Sequence, residues 1–278
     1  MSSTDLTLDQ RDISFAISEW LQLGKLKNSE KYAEFDQDTL EMMVKEGIRF
    51  AIEVVFPTRA ESDRKGCRME EGRVKVSECL HKPFQKAYEL GWASISDSPE
   101  YGGMGAPATI GLIVSEAING ANLGLGMFFG LTSGAAKLIE TYGSDMLKEK
   151  YIAKMFQGQY TGTMCLSEPH AGSDVGAGIT SAESQGDGVY KIKGTKCWIS
   201  SGDNDLGENV IHAVLARVKG APDGTKGLSL FVVPYFRVND DGSLGDRNDV
   251  TVASIENKMG IHSSPTAVLS FGENDDCM

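Results

Sequence analysis

The feature that most restricts the possible folds is a change of period near Gly158. Before it, apolar residues recur at helical spacing; after it, they alternate or gather in short β-branched runs. Residues 36–55 carry Leu40, Met43, Val44, Gly47, Ile48, Ala51 and Val55, the i, i+3, i+4, i+7 pattern of one buried helical face. Asp36 or Asp38 can cap the start, and Pro57 is expected to end this helix. Ile13, Ile17, Trp20 and Leu21 predict an earlier helix. Phe84, Ala87, Tyr88 and Leu90 predict another, stopped by Gly91. A Gly- and Pro-rich loop at 99–107 interrupts the pattern. Ile110, Val114, Ala117, Ile118 and Ala121 then mark a further helix. Residues 123–139, apolar almost throughout, predict a separate, fully buried one. The amphipathic stretch 145–156 closes the helical half.

Beyond Gly158, strands are predicted at 160–166, 189–193, 197–200, 210–218, 228–233 and 266–271. Turns are expected at Gly186-Asp187-Gly188, Lys193-Gly194-Thr195 and Asp240-Asp241-Gly242. The fold class is therefore α+β: an all-helical N-terminal domain over residues 1–158, then a small antiparallel β-barrel or sandwich over 159–278. No G-x-G-x-x-G follows a strand, so no Rossmann dinucleotide signature is present.

Charge and cysteine usage remove several function classes. A formal net charge of −12 argues against nucleic acid or an anionic membrane as the main partner. No two of the five cysteines form C-x-x-C, so no metal site is expected, and the scattered set fits a reducing, cytoplasmic compartment. The first residues lack an apolar signal-like core, and no apolar run is read as long enough to span a membrane.

The chemistry concentrates in the stretch from Met164 to Ala177. A strand runs through Met164, Cys165 and Leu166 into Ser167-Glu168-Pro169-His170-Ala171-Gly172-Ser173-Asp174. Gly172 lets backbone approach a ligand closely, Ser173 adds a hydroxyl, and successive N–H groups can form an anion nest suited to a pyrophosphate. Ser167, at the strand's end, can aim a donor at a flat heterocycle. About thirty residues later comes Lys196-Cys197-Trp198-Ile199-Ser200-Ser201-Gly202. An aromatic followed two residues on by a hydroxyl fits a flavin site, because period 2 sends Trp198 and Ser200 to the same strand face. His170 and His262 are read as structural or surface residues. Leu125, Phe128, Phe129 and Leu131 are read as core.

Cys165 to Ala177 fits the signature of the acyl-CoA dehydrogenases at every position, and Lys196 to Gly202 resembles that family's second flavin strand. Tyr101-Gly102-Gly103 stands in the family's order before both. The runs Thr225-Lys226-Gly227-Leu228 and Lys258-Met259-Gly260-Ile261-His262 are similar to the branch that includes 3-methylmercaptopropionyl-CoA dehydrogenase and longer-chain relatives. The resemblance implies FAD as cofactor, held by Met164, Leu166, Ser167, Gly172, Ser173, Trp198, Ile199 and Ser200. Ser173 would also lie beside the CoA ester, and Ser200 replaces a commoner Thr as donor to flavin N5. It implies α,β-dehydrogenation of an acyl-CoA, with electrons passed to an electron-transfer flavoprotein and a homodimer or homotetramer as the full-length assembly. Glu168 belongs to the loop's architecture, not to catalysis. The family's base is a Glu in a later helical bundle, so the base is expected beyond Met278, no catalytic residue is assigned here, and this chain is expected to be an inactive fragment. An acyl-CoA oxidase of the same fold and a non-catalytic acyl-CoA- or flavin-binding subunit are the alternatives.

Overall fold

The computed structural model describes residues 8–278. The reading of the N-terminus as free of a signal-like core rests mostly on residues 1–7, outside the described residues. Helices come first: α1 Gln10–Phe15, α2 Gln37–Phe50 and α3 Arg59–Lys65, then α4 His81–Glu89, α5 Ala108–Tyr142 and α6 Asp145–Phe156. Between α3 and α4 lies a hairpin, β1 Arg68–Glu70 and β2 Arg73–Lys75. The remaining strands follow α6: β3 Tyr160–Cys165, β4 Ser181–Gly186, β5 Val189–Ser200, β6 Asn209–Val218 and β7 Leu228–Pro234, then β8 Phe236–Val238, β9 Leu244–Arg247, β10 Val250–Ile255 and β11 Thr266–Phe271.

The helical period translates directly into packing. Asp36 caps α2 by accepting the Thr39 N–H at 2.9 Å, and Leu40, Met43, Val44, Gly47 and Ile48 are its buried face. Gly47 permits a close crossing with α5, since a Cβ there would lie 2.7 Å from Val114 Cγ2. Pro57 does not end the helical path. It sits in the first turn of a short 3-10 segment, where a missing N–H costs nothing, and the chain runs on into α3 until Gly66 at φ 62°. In the earlier helix Ile17 is buried, but Trp20 is 73% exposed.

α5 contains both helices expected at 108–139, joined at Asn122, which leaves helical geometry with φ −157° and ψ 95°. Asn122 is buried. Its amide donates to Thr58 Oγ1 and Ser62 Oγ at 3.0 Å, and its oxygen accepts the Leu125 N–H at 3.4 Å. The second half is not buried all round: Leu125, Phe128 and Phe129 are core, but Leu123, Gly130, Gly134 and Lys137 face outward. α5 is the one described helix that bears on the expectation of no membrane-spanning run, and it does not overturn it. It is long and apolar enough to span a bilayer, with mean hydropathy 1.3 over an 18-residue window. Half of that window is buried inside the fold, against α2, α6 and β3.

The strands form one main sheet in the order β10-β11-β5-β4-β6-β3, with β7 on the other edge of β6. The α+β order holds, but the sheet is mixed and not purely antiparallel. β3 and β4 both lie parallel to β6, on the same edge: β3 pairs with 209–214 and β4 with 217–218. Parallel neighbours need a crossover, and here the loop 166–180 leaves the sheet between β3 and β4. The turn expected at Lys193-Gly194-Thr195 is absent, and β5 is one strand of 12 residues. Gly194 marks close approach instead, because a Cβ there would lie 2.4 Å from Thr180 Oγ1. The Gly186–Gly188 and Asp240–Gly242 turns are present, closing the β4–β5 and β8–β9 hairpins.

The β1–β2 hairpin ties the helical half to the sheet. Arg73 grips the fully buried Asp203 bidentately, with Nε to Oδ2 at 2.9 Å and Nη2 to Oδ1 at 2.8 Å, and Val74 N–H adds a 2.7 Å bond. The Arg73 guanidinium also lies 4.1 Å from the Tyr235 ring centroid.

Candidate functional site

The site begins where β3 ends. All six β3 residues are built into the sheet beside β6, so Leu166 and Ser167 emerge at a fixed place. The loop then doubles back in a tight turn, with Glu168 N–H to Ala171 O at 2.8 Å and Ala171 N–H to Glu168 O at 3.1 Å. Gly172, Ser173 and Asp174 follow, all exposed. Among the described residues, no protein acceptor takes the N–H of any of these three. Exposed, unclaimed N–H groups are donors available to an anion. Nothing crowds Gly172: the nearest atom to a Cβ built there is Ser167 Oγ at 4.0 Å.

The second strip, 196–202, lies against the first. Cys197 N–H donates to Ser167 O at 2.9 Å, and Lys196 Nζ donates to Leu166 O at 2.9 Å. Two segments thirty residues apart in the chain are thus joined by main-chain and side-chain bonds. Trp198 and Ser200 are both turned outward, Trp198 55% exposed and Ser200 half-buried, while Cys197 before them and Ile199 between them are buried. Ile199 was read as a cofactor contact; its side chain is 2% exposed in the β core, so only its backbone is available to a ligand. Met164 is half-buried in β3, and Leu166 is 38% exposed. Leu166, Trp198 and Ser200 thus present an outward face where the two strips meet, and the exposed residues 172–174 follow in the loop.

Period 2 alone does not produce that face. Ala267 pairs with Ile199 but Leu269 pairs with Lys196, so β5 carries one extra residue, a β-bulge at 197–198. The bulge sends Lys196 inward and Trp198 outward. Trp198 accommodates it at φ 58°, a left-handed conformation that costs a bulky residue roughly 1–3 kcal/mol and is characteristic of functional sites.

Lys196 and Glu168 are the pair that the sequence reading underrated. Lys196 is 1% and Glu168 2% exposed. Lys196 Nζ lies 2.9 Å from Glu168 Oε1, and the same carboxylate accepts the N–H of Ile179 at 2.8 Å and of Thr180 at 3.1 Å. Burial alone would raise the Glu168 pKa, but the bonds from Lys196, Ile179 and Thr180 outweigh it and hold the group below its ordinary value. Glu168 is thus an ionised staple between the two ends of the loop. Arg217 steadies the far limb by donating to Gly176 O at 2.8 Å. A lysine between two buried strand positions was the available signal, but the bulge hid which way it points.

The neighbouring thiols are quiet. Burial pushes Cys165 up to about 12 and raises Cys197 as well. His170 is exposed with Nε2 3.2 Å from Ala177 O, and His262 contacts Asp63 across the domains. The Tyr101–Gly103 loop wraps Asp97, where a Cβ on Gly103 would lie 2.3 Å from the Asp97 carbonyl oxygen.

A family model described as acyl-CoA dehydrogenase, N-terminal domain, matches residues 37–159, and one described as acyl-CoA dehydrogenase, middle domain, matches 163–273. The chain is 39% identical over 94% of its length to 3-methylmercaptopropionyl-CoA dehydrogenase of Ruegeria pomeroyi. It is 38% identical over its whole length to a butyryl-CoA dehydrogenase of Syntrophomonas wolfei. It spans 44% and 46% of those two relatives. Among solved structures, the complex of glutaryl-coenzyme A dehydrogenase with glutaryl-CoA superposes with TM-score 0.67 at 28% identity, over 87% of this chain and 55% of that one.

Proposed function

This chain belongs to the acyl-CoA dehydrogenase family, and from that premise we propose that it supplies the flavin-holding part of an FAD-dependent enzyme that desaturates an acyl-CoA thioester between Cα and Cβ. The observation that carries the reading is the junction of the two strips through Cys197 N–H and Ser167 O at 2.9 Å. It brings the strip of Trp198 and Ser200 beside the strand end that leads into the loop of unclaimed N–H groups at 172–174.

The residues fit FAD. The N–H groups of Gly172, Ser173 and Asp174 take the pyrophosphate, with the Ser173 hydroxyl beside it. Leu166 and Trp198 offer apolar surface to the isoalloxazine, and the hydroxyls of Ser167 and Ser200 meet its polar edges. Bound FAD would supply the hydride acceptor, at N5. This chain's own share of the chemistry is to orient that ring and to offer Ser173 to the thioester end of the substrate. Glu168 takes no part as a base, because all its described bonds tie it into the loop and to Lys196. The full enzyme works as a homo-oligomer with an electron-transfer flavoprotein as acceptor; the family resemblance supports both.

Titration of the purified chain with FAD tests this. Saturable quenching of flavin fluorescence is expected, and weak, because the family resemblance implies that part of the cofactor site comes from a later bundle and a neighbouring subunit, and this chain spans 44% and 46% of its two relatives. Trp198→Ala and Ser173→Ala should each weaken it about tenfold, the scale of a lost stacking contact or charge-assisted hydrogen bond. Unchanged affinity in both variants counts against the assignment.

A further inference from the structure

The geometry points to Lys196 and Glu168 as positioning residues for the cofactor. The buried pair fixes the Leu166–Ser167 peptide so that its N–H faces outward beside Trp198, as a donor to the electron-rich edge of the flavin ring. This rests on the flavin reading above and adds a role for two residues outside the ligand-facing surface.

In a trans peptide the carbonyl and the N–H point in opposite directions, and the described chain has no cis bonds. Lys196 Nζ holds the Leu166 carbonyl from the inside at 2.9 Å. The N–H of Ser167 in that same peptide is thereby directed away from the buried lysine. The bulge at 197–198 puts Trp198 on the side opposite Lys196, so the N–H and the indole share a face. Among the described residues the Ser167 N–H meets no acceptor, whereas the Ser167 carbonyl is taken by Cys197. A donor left over at a well-bonded strand end is free for a ligand.

Glu168 completes the device. Its carboxylate neutralises Lys196 and also accepts from Ile179 and Thr180, so the lysine cannot retract without unpinning the loop. Gly178 makes room for the carboxylate, since a Cβ there would lie 2.9 Å from Glu168 Oε1. Removing one partner leaves the other buried and unpaired, a larger penalty than removing both.

The test uses the chain carrying Lys196→Met together with Glu168→Gln, which removes both charges and keeps one acceptor oxygen for either the Ile179 or the Thr180 N–H. Lys196→Met alone is run beside it, with thermal melts to establish folding. FAD affinity and solvent exchange of the 15N-labelled Ser167 amide are measured. In the wild type, FAD should protect the Ser167 amide from exchange. In the double variant, affinity should fall at least tenfold and that protection should vanish, while the chain stays folded. A folded double variant with affinity within twofold of wild type and a protected Ser167 amide overturns the positioning role and leaves the flavin reading intact. A wild-type chain that binds no FAD overturns both.

Discussion

At the residue scale, Trp198 shows most clearly how function and stability pull apart. Its left-handed φ of 58° is a conformation glycine adopts freely and tryptophan does not. The indole is more than half exposed, so it returns little through burial. Trp198→Gly should therefore raise the melting temperature of the ligand-free chain above that of Trp198→Ala while binding FAD no better. Equal melting temperatures for the two variants would contradict the strain. His212 makes a second residue-scale prediction. It is buried in β6, with Nδ1 2.7 Å from Thr163 Oγ1, and burial followed by the nearby Arg73 charge pushes its pKa down to about 3 from an ordinary 6.5. Between those values the unfolded chain binds a proton that the folded chain refuses. Stability is thus full above pH 6.5 and falls as pH drops, by at most ~1.4 kcal/mol per pH unit. Urea unfolding should show a loss of about 2 kcal/mol between pH 7.5 and 5. The lowered pKa of Glu168 acts only below its ordinary 4.5, outside that window. A His212→Gln chain should lack the slope; if it keeps the slope, another group carries it.

At the element scale, α2 and α5 are held together by what is missing at Gly47. In an exposed helix, Gly→Ala gains up to ~1 kcal/mol from propensity. Here the new Cβ would lie 2.7 Å from Val114 Cγ2, and overpacking a tight crossing costs roughly 1–3 kcal/mol. Gly47→Ala should come out neutral to destabilising, and Gly47→Leu clearly destabilising, by urea unfolding. A stabilised Gly47→Leu chain would contradict the crossing. These elements also show how far the sequence could be read. The buried positions Leu40, Met43, Val44, Ile110, Val114 and Ala117 followed from period alone, because a single-faced helix writes its burial into its spacing. The break at Asn122 was visible as the end of one periodic run and the start of another. β4, Ser-Ala-Glu-Ser-Gln-Gly, was missed because its exposed residues are polar and only Ala182 is buried. The bulge at 197–198 was not legible, since it arises from the pairing of β5 with β11 and not from β5 itself. The alternation read from the motif agrees with the outward positions of Trp198 and Ser200, while the side chain of Ile199 is buried in the β core.

At the scale of the whole molecule, the helical half and the sheet are joined by a few deep contacts. The clasp of Arg73 on the fully buried Asp203 is the strongest of them. Losing Asp203 leaves a half-buried Arg73 that still reaches Asn204 O, so the cost falls below the about 3–5 kcal/mol of a fully buried pair. Asp203→Ala should lower the melting temperature and split the single calorimetric transition into two, as the helical and strand halves lose their coupling. One unshifted transition would show that the domains are held mainly elsewhere. His262 reaches Asp63 from the other side of the same junction, with its N–H 2.9 Å from Oδ1. The proposed flavin face lies on the sheet side of this junction, on the β3 end, the loop after it and β5. Flavin affinity should therefore survive Asp203→Ala better than global stability does.

The most direct measurement is a crystal structure of this chain grown with FAD. The account predicts the isoalloxazine lying on Trp198 within reach of the Ser167 N–H and the Ser200 hydroxyl, with the pyrophosphate on the amides of Gly172 to Asp174. Flavin bound elsewhere, or a 166–180 loop detached from β5 with Lys196 turned to solvent, would contradict it.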